Sequence, residues 1–368
     1  MLISSCGQKL MRRLKKDNKS ILLITLFIAI PMSIILDLTN TKGLLLFITC
    51  CLSIIPLAGI LGNATEQISV ITGPKAGGLL NATMGNIPEL FIGFFSVRAG
   101  LFSLVKASIA GSIIGNMLLV LGFSILFGGV KYKFQAFDKM LARTNFGMLF
   151  LALIGFIIPA AFKYFSAKNS KGIFSLSLGI AIVLLVIYLL GLFFSFYTHK
   201  NLFVKSEEEI FPEEQKWGIK KSILYLALST IAIAYESGLL VNSLESIRDI
   251  YHIQEIFLGI VVVPIIGNIA EYSSAMMMAL KDKINLSIEI AVGSGMQMAL
   301  FVAPILILVS FIIGNPMDFI FSTIELITIT CSIGLSLYIF QDGKTNWLEG
   351  VELLSAYVIM ALAYLFMT

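Results

Sequence analysis

Charge is scarce in this 368-residue chain: Asp, Glu, Lys and Arg make up 13% of it, against 58% hydrophobic residues. Soluble domains carry about 25% charged residues, so a soluble globule is excluded and an all-α integral membrane protein is expected. Cysteine is sparse and unpatterned. Cys6 lies in a basic head and Cys50, Cys51 and Cys331 in apolar runs, without CxxC or metal-ligand spacing, so they read as packing residues. The apolar run Ile21 to Leu36 follows six basic residues as a signal peptide would, but lacks a small-x-small cleavage site. It is therefore expected to stay as a first helix. There is no GxxxxGK[ST] phosphate loop and no GxGD motif, so neither ATP-driven transport nor an intramembrane aspartyl protease is indicated. No enzyme activity and no cofactor are expected. Lys and Arg are missing from the depth of every apolar segment.

At about 20 apolar residues per bilayer crossing, the chain divides into eleven helices at roughly 20–38, 43–62, 77–97, 105–127, 144–162, 173–197, 219–243, 256–279, 285–313, 317–340 and 348–367. With the N-terminus inside, the cytoplasmic segments hold 19 Lys and Arg and the outer segments 7. This bias orients the chain with its C-terminus outside. The basic residues are thus topological signals, and no nucleic-acid site is read from them. The polar stretch 198–218 separates ten of the spans into five and five. The expected organisation is a basic head with an extra helix (1–42), a first five-helix repeat (43–197), an acidic cytoplasmic linker (198–218) and a second five-helix repeat (219–368). An odd span count per repeat inverts the second copy, an architecture that recurs in secondary transporters. The short head suits a prokaryotic protein of the inner membrane. The sequence does not fix the oligomeric state and leaves room for a homo-oligomer in the lipid bilayer.

The repetition is visible in the residues. GNIPE at Gly85–Glu89 returns as GNIAE at Gly267–Glu271, and each Glu stands 23 residues before the Ser of a second echo, Gly111–Ser112 and Gly293–Ser294. A carboxylate at membrane depth is costly and by default marks a functional cavity. With no deep base to pair with, two such acids on matched repeats suggest a cation path. Asn86 and Glu89, like Asn268 and Glu271, share one helix face. The Gly weakens the helix, and Pro88 and Pro264 each remove a backbone donor. A hard divalent ion such as calcium seeks six to eight oxygen ligands, and the two Glu, the Asn86 and Asn268 carbonyls, the Ser112 and Ser294 hydroxyls, the Gln297 amide, backbone carbonyls and water could supply them. Two carboxylates also balance its charge.

Other polar groups carry plainer alternatives. Ser112, Ser294, Asn116 and Gln297 could instead bond helices together, at about 0.6 kcal/mol each. Asn81 stands roughly a turn before the first motif. Glu66 in GNATE partly echoes Glu245 in VNSLE, near a membrane face. Glu236, Glu289 and Glu325 are unmatched membrane-depth acids that could relay protons, and Glu207, Glu208, Glu209, Glu213 and Glu214 make the linker acidic.

Gly77–Leu90 (GGLLNATMGNIPEL), Gly111–Gly122 (GSIIGNMLLVLG) and GNIAE followed by AVGSGMQMALFVAPILIL to Leu308 resemble the calcium/proton exchanger (CAX) family of the cation/calcium antiporter superfamily. The likeness covers nearly the whole chain. Sodium/calcium exchangers of that superfamily usually carry GTSxPE-like and GTSxPD-like motifs where this chain has Asn and two Glu. The resemblance implies that Glu89 and Glu271 carry calcium and protons, with Asn86, Asn268, Ser112, Ser294 and Gln297 lining the site. It departs at Tyr272, where His is frequent, and at Gly115, where Ser is.

The chemistry can be argued from the residues alone. Two close carboxylates in a poorly solvated cavity repel and are desolvated, so an empty site takes up protons, whereas calcium stabilises both anions. Proton and calcium then compete for the same oxygens. A carrier that reorients only when neutralised is an antiporter with calcium as transported substrate. A sodium-coupled exchanger of calcium or another divalent ion remains the alternative, and an ion channel a weaker one.

Overall fold

The computed structural model describes residues 28–41, 43–73, 77, 80–81, 83–165, 170–198, 217–251 and 254–367. The basic head, the acidic linker cluster and the side chain of Glu245 lie outside the described residues.

The described chain is helical apart from its turns, the irregular stretch 315–322 and one short strand pair. In order come α1 (Ile28–Leu38), α2 (Leu44–Thr72), α3 (Ile87–Arg98) and α4 (Phe102–Tyr132). Strand β1 (Phe134–Ala136) precedes α5 (Lys139–Phe165), α6 (Ser170–Phe193) and α7 (Ile219–Tyr251). Then follow α8 (Glu255–Leu280), α9 (Ile284–Ile313), α10 (Thr323–Ile339), strand β2 (Lys344–Asn346) and α11 (Trp347–Leu365). Among the described residues, eight helices are long and apolar enough to cross a membrane: α2, α4 to α9 and α11. They fall on eight of the eleven expected spans.

The other three expected spans are shorter or interrupted. The described part of the first is α1. The third is broken by a turn at Gly85 and Asn86, and α3 starts afresh at Ile87 with Pro88 in its first turn, where a missing N–H costs nothing. The tenth starts late, because Ser322 and Glu325 form a capping box that sets the start of α10 at Thr323. Glu325, an acid expected at membrane depth, thus spends its carboxylate on the Ser322 backbone N–H (2.7 Å) and hydroxyl (2.8 Å).

Two close approaches position the site. The backbone of α4 at Gly111 lies so near Ile260 of α8 that any Cβ there would strike backbone atoms, the small-residue contact by which membrane helices pack most tightly. At the far end of α4, β1 and β2 pair antiparallel with Gln135 opposite Thr345. Buried Gln135 donates to the Ala279 carbonyl (3.0 Å) and to Asp282 Oδ1 (2.9 Å), while the Tyr132 hydroxyl donates to the Leu280 carbonyl (3.0 Å). The ends of α4, α8 and α11 are thereby tied together. The sequence gives no strand signal for this clasp, since three residues are too few for an alternation to be read.

Candidate functional site

The two repeated pentapeptides enter the site in different local structures. In the first, Gly85 and Asn86 form the turn before α3, which puts Glu89 in the first helical turn, where the positive end of the helix dipole faces a carboxylate. In the second, Gly267 to Glu271 lie within unbroken α8, and the irregularity sits earlier, as a π-turn at Leu258–Val262. The expected weakening by Gly and Pro therefore opens the helix in one copy only.

Six of the seven expected site residues are joined in two hydrogen-bonded groups. Asn86 donates to Gln297 Oε1 at 2.6 Å. Asn268 donates to Ser112 Oγ (3.3 Å) and to the Pro264 carbonyl (3.0 Å). Ser294 Oγ lies 2.5 Å from Glu271 Oε2 and 3.3 Å from Asn268 Oδ1. It also accepts from Asn116 Nδ2 at 3.1 Å, which brings a further residue into that group. Asn86, Ser112, Asn116 and Asn268 are essentially inaccessible, Glu89 is 2% exposed, and Glu271 and Gln297 are half-buried. Of the peripheral residues, Asn81 is exposed and Glu66 and Glu289 are half-buried.

Glu89 joins none of these hydrogen bonds. Both its oxygens are buried and accept from no donor, and Asn116 Oδ1 is in the same condition. Neither Glu89 nor Glu271 has a basic partner among the described residues. Leaving a buried carboxylate uncompensated costs several kcal/mol, so these oxygens require a proton or a cation.

The glycines of the motifs explain how the carboxylates reach one another. Glu89 packs against Gly267, where a Cβ would overlap its carboxylate, and Glu271 packs against Gly85, where a Cβ would come within 3.2 Å of Oε1. Each motif's glycine makes room for the other motif's acid. Their recurrence in the sequence was visible, but nothing in it told that the space was needed by the opposite half.

Two further features escaped sequence reasoning. Both helices that carry the site serines leave α-helical geometry just beyond them, α4 as a π-turn at Gly115–Val120 and α9 as one at Met298–Val302. Such turns recur at functional sites, and no residue pattern announces them. In addition, the two departures from the family resemblance touch. The Tyr272 hydroxyl lies over Gly115, where a Cβ would come to 2.7 Å from it, so the phenol occupies space that a larger residue at 115 would take.

A helical membrane protein in which buried acids from two halves of the chain converge without a base is built as a cation transporter. The family described as sodium/calcium exchanger protein matches residues 42–197 and 221–366, and the chain belongs to it. It is 41% identical over 365 residues to the Ca(2+)/H(+) antiporter of Aphanothece halophytica, covering 95% of this chain and 97% of that one. To the Ca(2+)/H(+) antiporter ChaA of Bacillus subtilis (strain 168) it is 41% identical over 341 residues, covering 91% and 96%. The crystal structure of the Ca2+/H+ antiporter protein YfkE superposes with a TM-score of 0.82 at 36% identity, over 95% of this chain and 100% of that one. The chain is accordingly a multi-pass integral membrane protein whose relatives are transporters.

Proposed function

We propose that this protein is a secondary antiporter that exchanges calcium for protons by alternating access, with Glu89 and Glu271 as the groups that carry both ions. The observation that carries this is the buried carboxylate of Glu89, whose two oxygens have no protein donor. Protons or calcium satisfy them, and one excludes the other. Asn86, Asn268, Ser112, Ser294 and Gln297 are proposed to line the calcium site. Their amide and hydroxyl oxygens are hard ligands, and their mutual hydrogen bonds hold them around the acids. The names of the relatives agree with this substrate pair.

The same proposal includes two inverted five-helix repeats after an extra N-terminal helix. It is supported by the separate matching of 42–197 and 221–366 to one family and by the reciprocal glycine contacts. The proposed location is the inner membrane of a prokaryote, with the N-terminus and the 198–218 linker cytoplasmic. Single cysteines at Lys205 and Thr368 check the orientation. An impermeant thiol reagent applied to intact cells is expected to modify only the latter, and labelling at 205 would reverse the topology.

Transport is tested in proteoliposomes. Acid-loaded vesicles in alkaline, sodium-free medium are expected to accumulate calcium as protons leave. Collapse of the pH gradient by a protonophore, at clamped potential, is expected to stop net accumulation. Uptake that persists without the proton gradient, or that needs internal sodium, would assign the chain to sodium-coupled exchange.

A further inference from the structure

A second buried carboxyl lies apart from the exchange site. Glu236, in the middle of α7, is wholly inaccessible, as are Ser33 of α1 and Cys50 of α2, and the three side chains meet where these helices join. Glu236 Oε1 lies 2.6 Å from Ser33 Oγ, while Oε2 is buried with no hydrogen-bond partner. The charged or titratable neighbours are Asp37 on α1, which accepts from the Tyr235 hydroxyl at 3.1 Å, Tyr235 itself, and Cys50. None is a cation, and no described Lys or Arg pairs with Glu236.

Counting hydrogens assigns the state of this acid. Ser33 Oγ is also 2.8 Å from the Ile30 carbonyl, which can only accept, and a serine has one hydrogen to give. Both contacts are satisfied if Ser33 donates to Ile30 and a neutral Glu236 donates to Ser33. The ionised alternative would leave a buried charge without counter-ion, held by Ser33 and the weak thiol donor of Cys50 alone, with Oε2 lacking a hydrogen-bond partner. That arrangement costs several kcal/mol, far more than the bond between Ser33 and Ile30 returns.

We propose that Glu236 is a permanently neutral acid whose hydrogen bond to Ser33 fastens α1 onto α7 and α2, and that it is a positioning residue of the exchanger that carries no proton across the membrane. Its position gives it leverage. Helix α7 runs along α2 and also packs on α3, the helix that carries Glu89, so the fastening sets how the first helices of the two halves lie beside the site.

The role in exchange rests on the function proposed above, whereas the protonation state does not, and the test separates them. In infrared spectra of the purified protein, a protonated-carboxyl C=O band is expected that persists at saturating calcium. It is expected to be absent from Glu236→Gln and to move in frequency in Ser33→Ala. In proteoliposomes, Glu236→Gln keeps a donor for Ser33 and is expected to alter the exchange rate by less than about twofold. Glu236→Ala and Ser33→Ala are each expected to slow it by about threefold, the worth of one interhelical hydrogen bond. All three are expected to leave the pH profile and the protons moved per calcium unchanged. A band that calcium removes, the absence of any band sensitive to Gln at 236, or an altered proton-to-calcium ratio in Glu236→Gln would overturn the proposal. Glu89→Gln run alongside reports on the exchange site: were it active, the site assignment would fall while the infrared result still decided Glu236.

Discussion

Glu89→Gln and Glu271→Gln are each expected to abolish exchange while leaving a folded, membrane-inserted protein. The amide fills the same space as the acid, so packing around the 2%-exposed Glu89 and the half-buried Glu271 should survive. What is lost is one of two negative charges facing a doubly charged ion in a site with no other anion among its described neighbours. Removing one member of a buried charge pair typically costs 3–5 kcal/mol, about a hundredfold or more in rate. Calcium flux in proteoliposomes, with gel-filtration profiles to check folding, measures both halves of the expectation. Near-normal flux in either variant would remove the central assignment. Asn116→Ala, which deletes a hydrogen bond to Ser294 but no charge, is expected to be far milder.

Gly267→Ala is expected to slow exchange strongly, though less than loss of an acid, through space instead of charge. A methyl group there overlaps the end of the Glu89 side chain, which is flexible enough to swing away, so the fold should tolerate the change. The displaced carboxylate, however, leaves the position it shares with Glu271. Overpacking of this kind is worth about 1–3 kcal/mol, or a loss of roughly tenfold or more in calcium flux. Gly85→Ala should do less, because its methyl would stop 3.2 Å from Glu271 Oε1. Gly111→Ala supplies the contrast: it meets the backbone of Ile260, which cannot move aside, so thermal stability should fall. Wild-type flux in Gly267→Ala would disprove the contact between the halves.

Six of the seven ligand candidates were legible because they recur, and because an acid at membrane depth without a base is rare enough to mark a site; Gln297 falls where the first copy has Gly115. Most helices were legible from the length of their apolar runs. What could not be read was set by packing. Gly267 looked like a helix weakener yet serves as the wall against which Glu89 rests. The identical residues Gly-Asn-Ile supply the turn and the first residue of α3 in one copy and part of a continuous helix in α8 in the other, where the following residues differ, Pro88 against Ala270. The π-turns beyond Ser112 and Ser294 and the clasp of β1 with β2 are decided by backbone hydrogen bonds that leave no mark in composition. Glu325 reads as a relay candidate until Ser322, three residues earlier, is seen to share its carboxylate.

The crossing of glycines and acids has a genetic consequence. Since Gly267 holds space for Glu89 and Gly85 for Glu271, a lesion at either glycine is felt in the opposite half of the gene. Second-site suppressors of Gly267→Ala should therefore gather around codon 89, and those of Gly85→Ala around codon 271. The space in which the two carboxylates sit is thus specified jointly by the two pentapeptides, GNIPE and GNIAE.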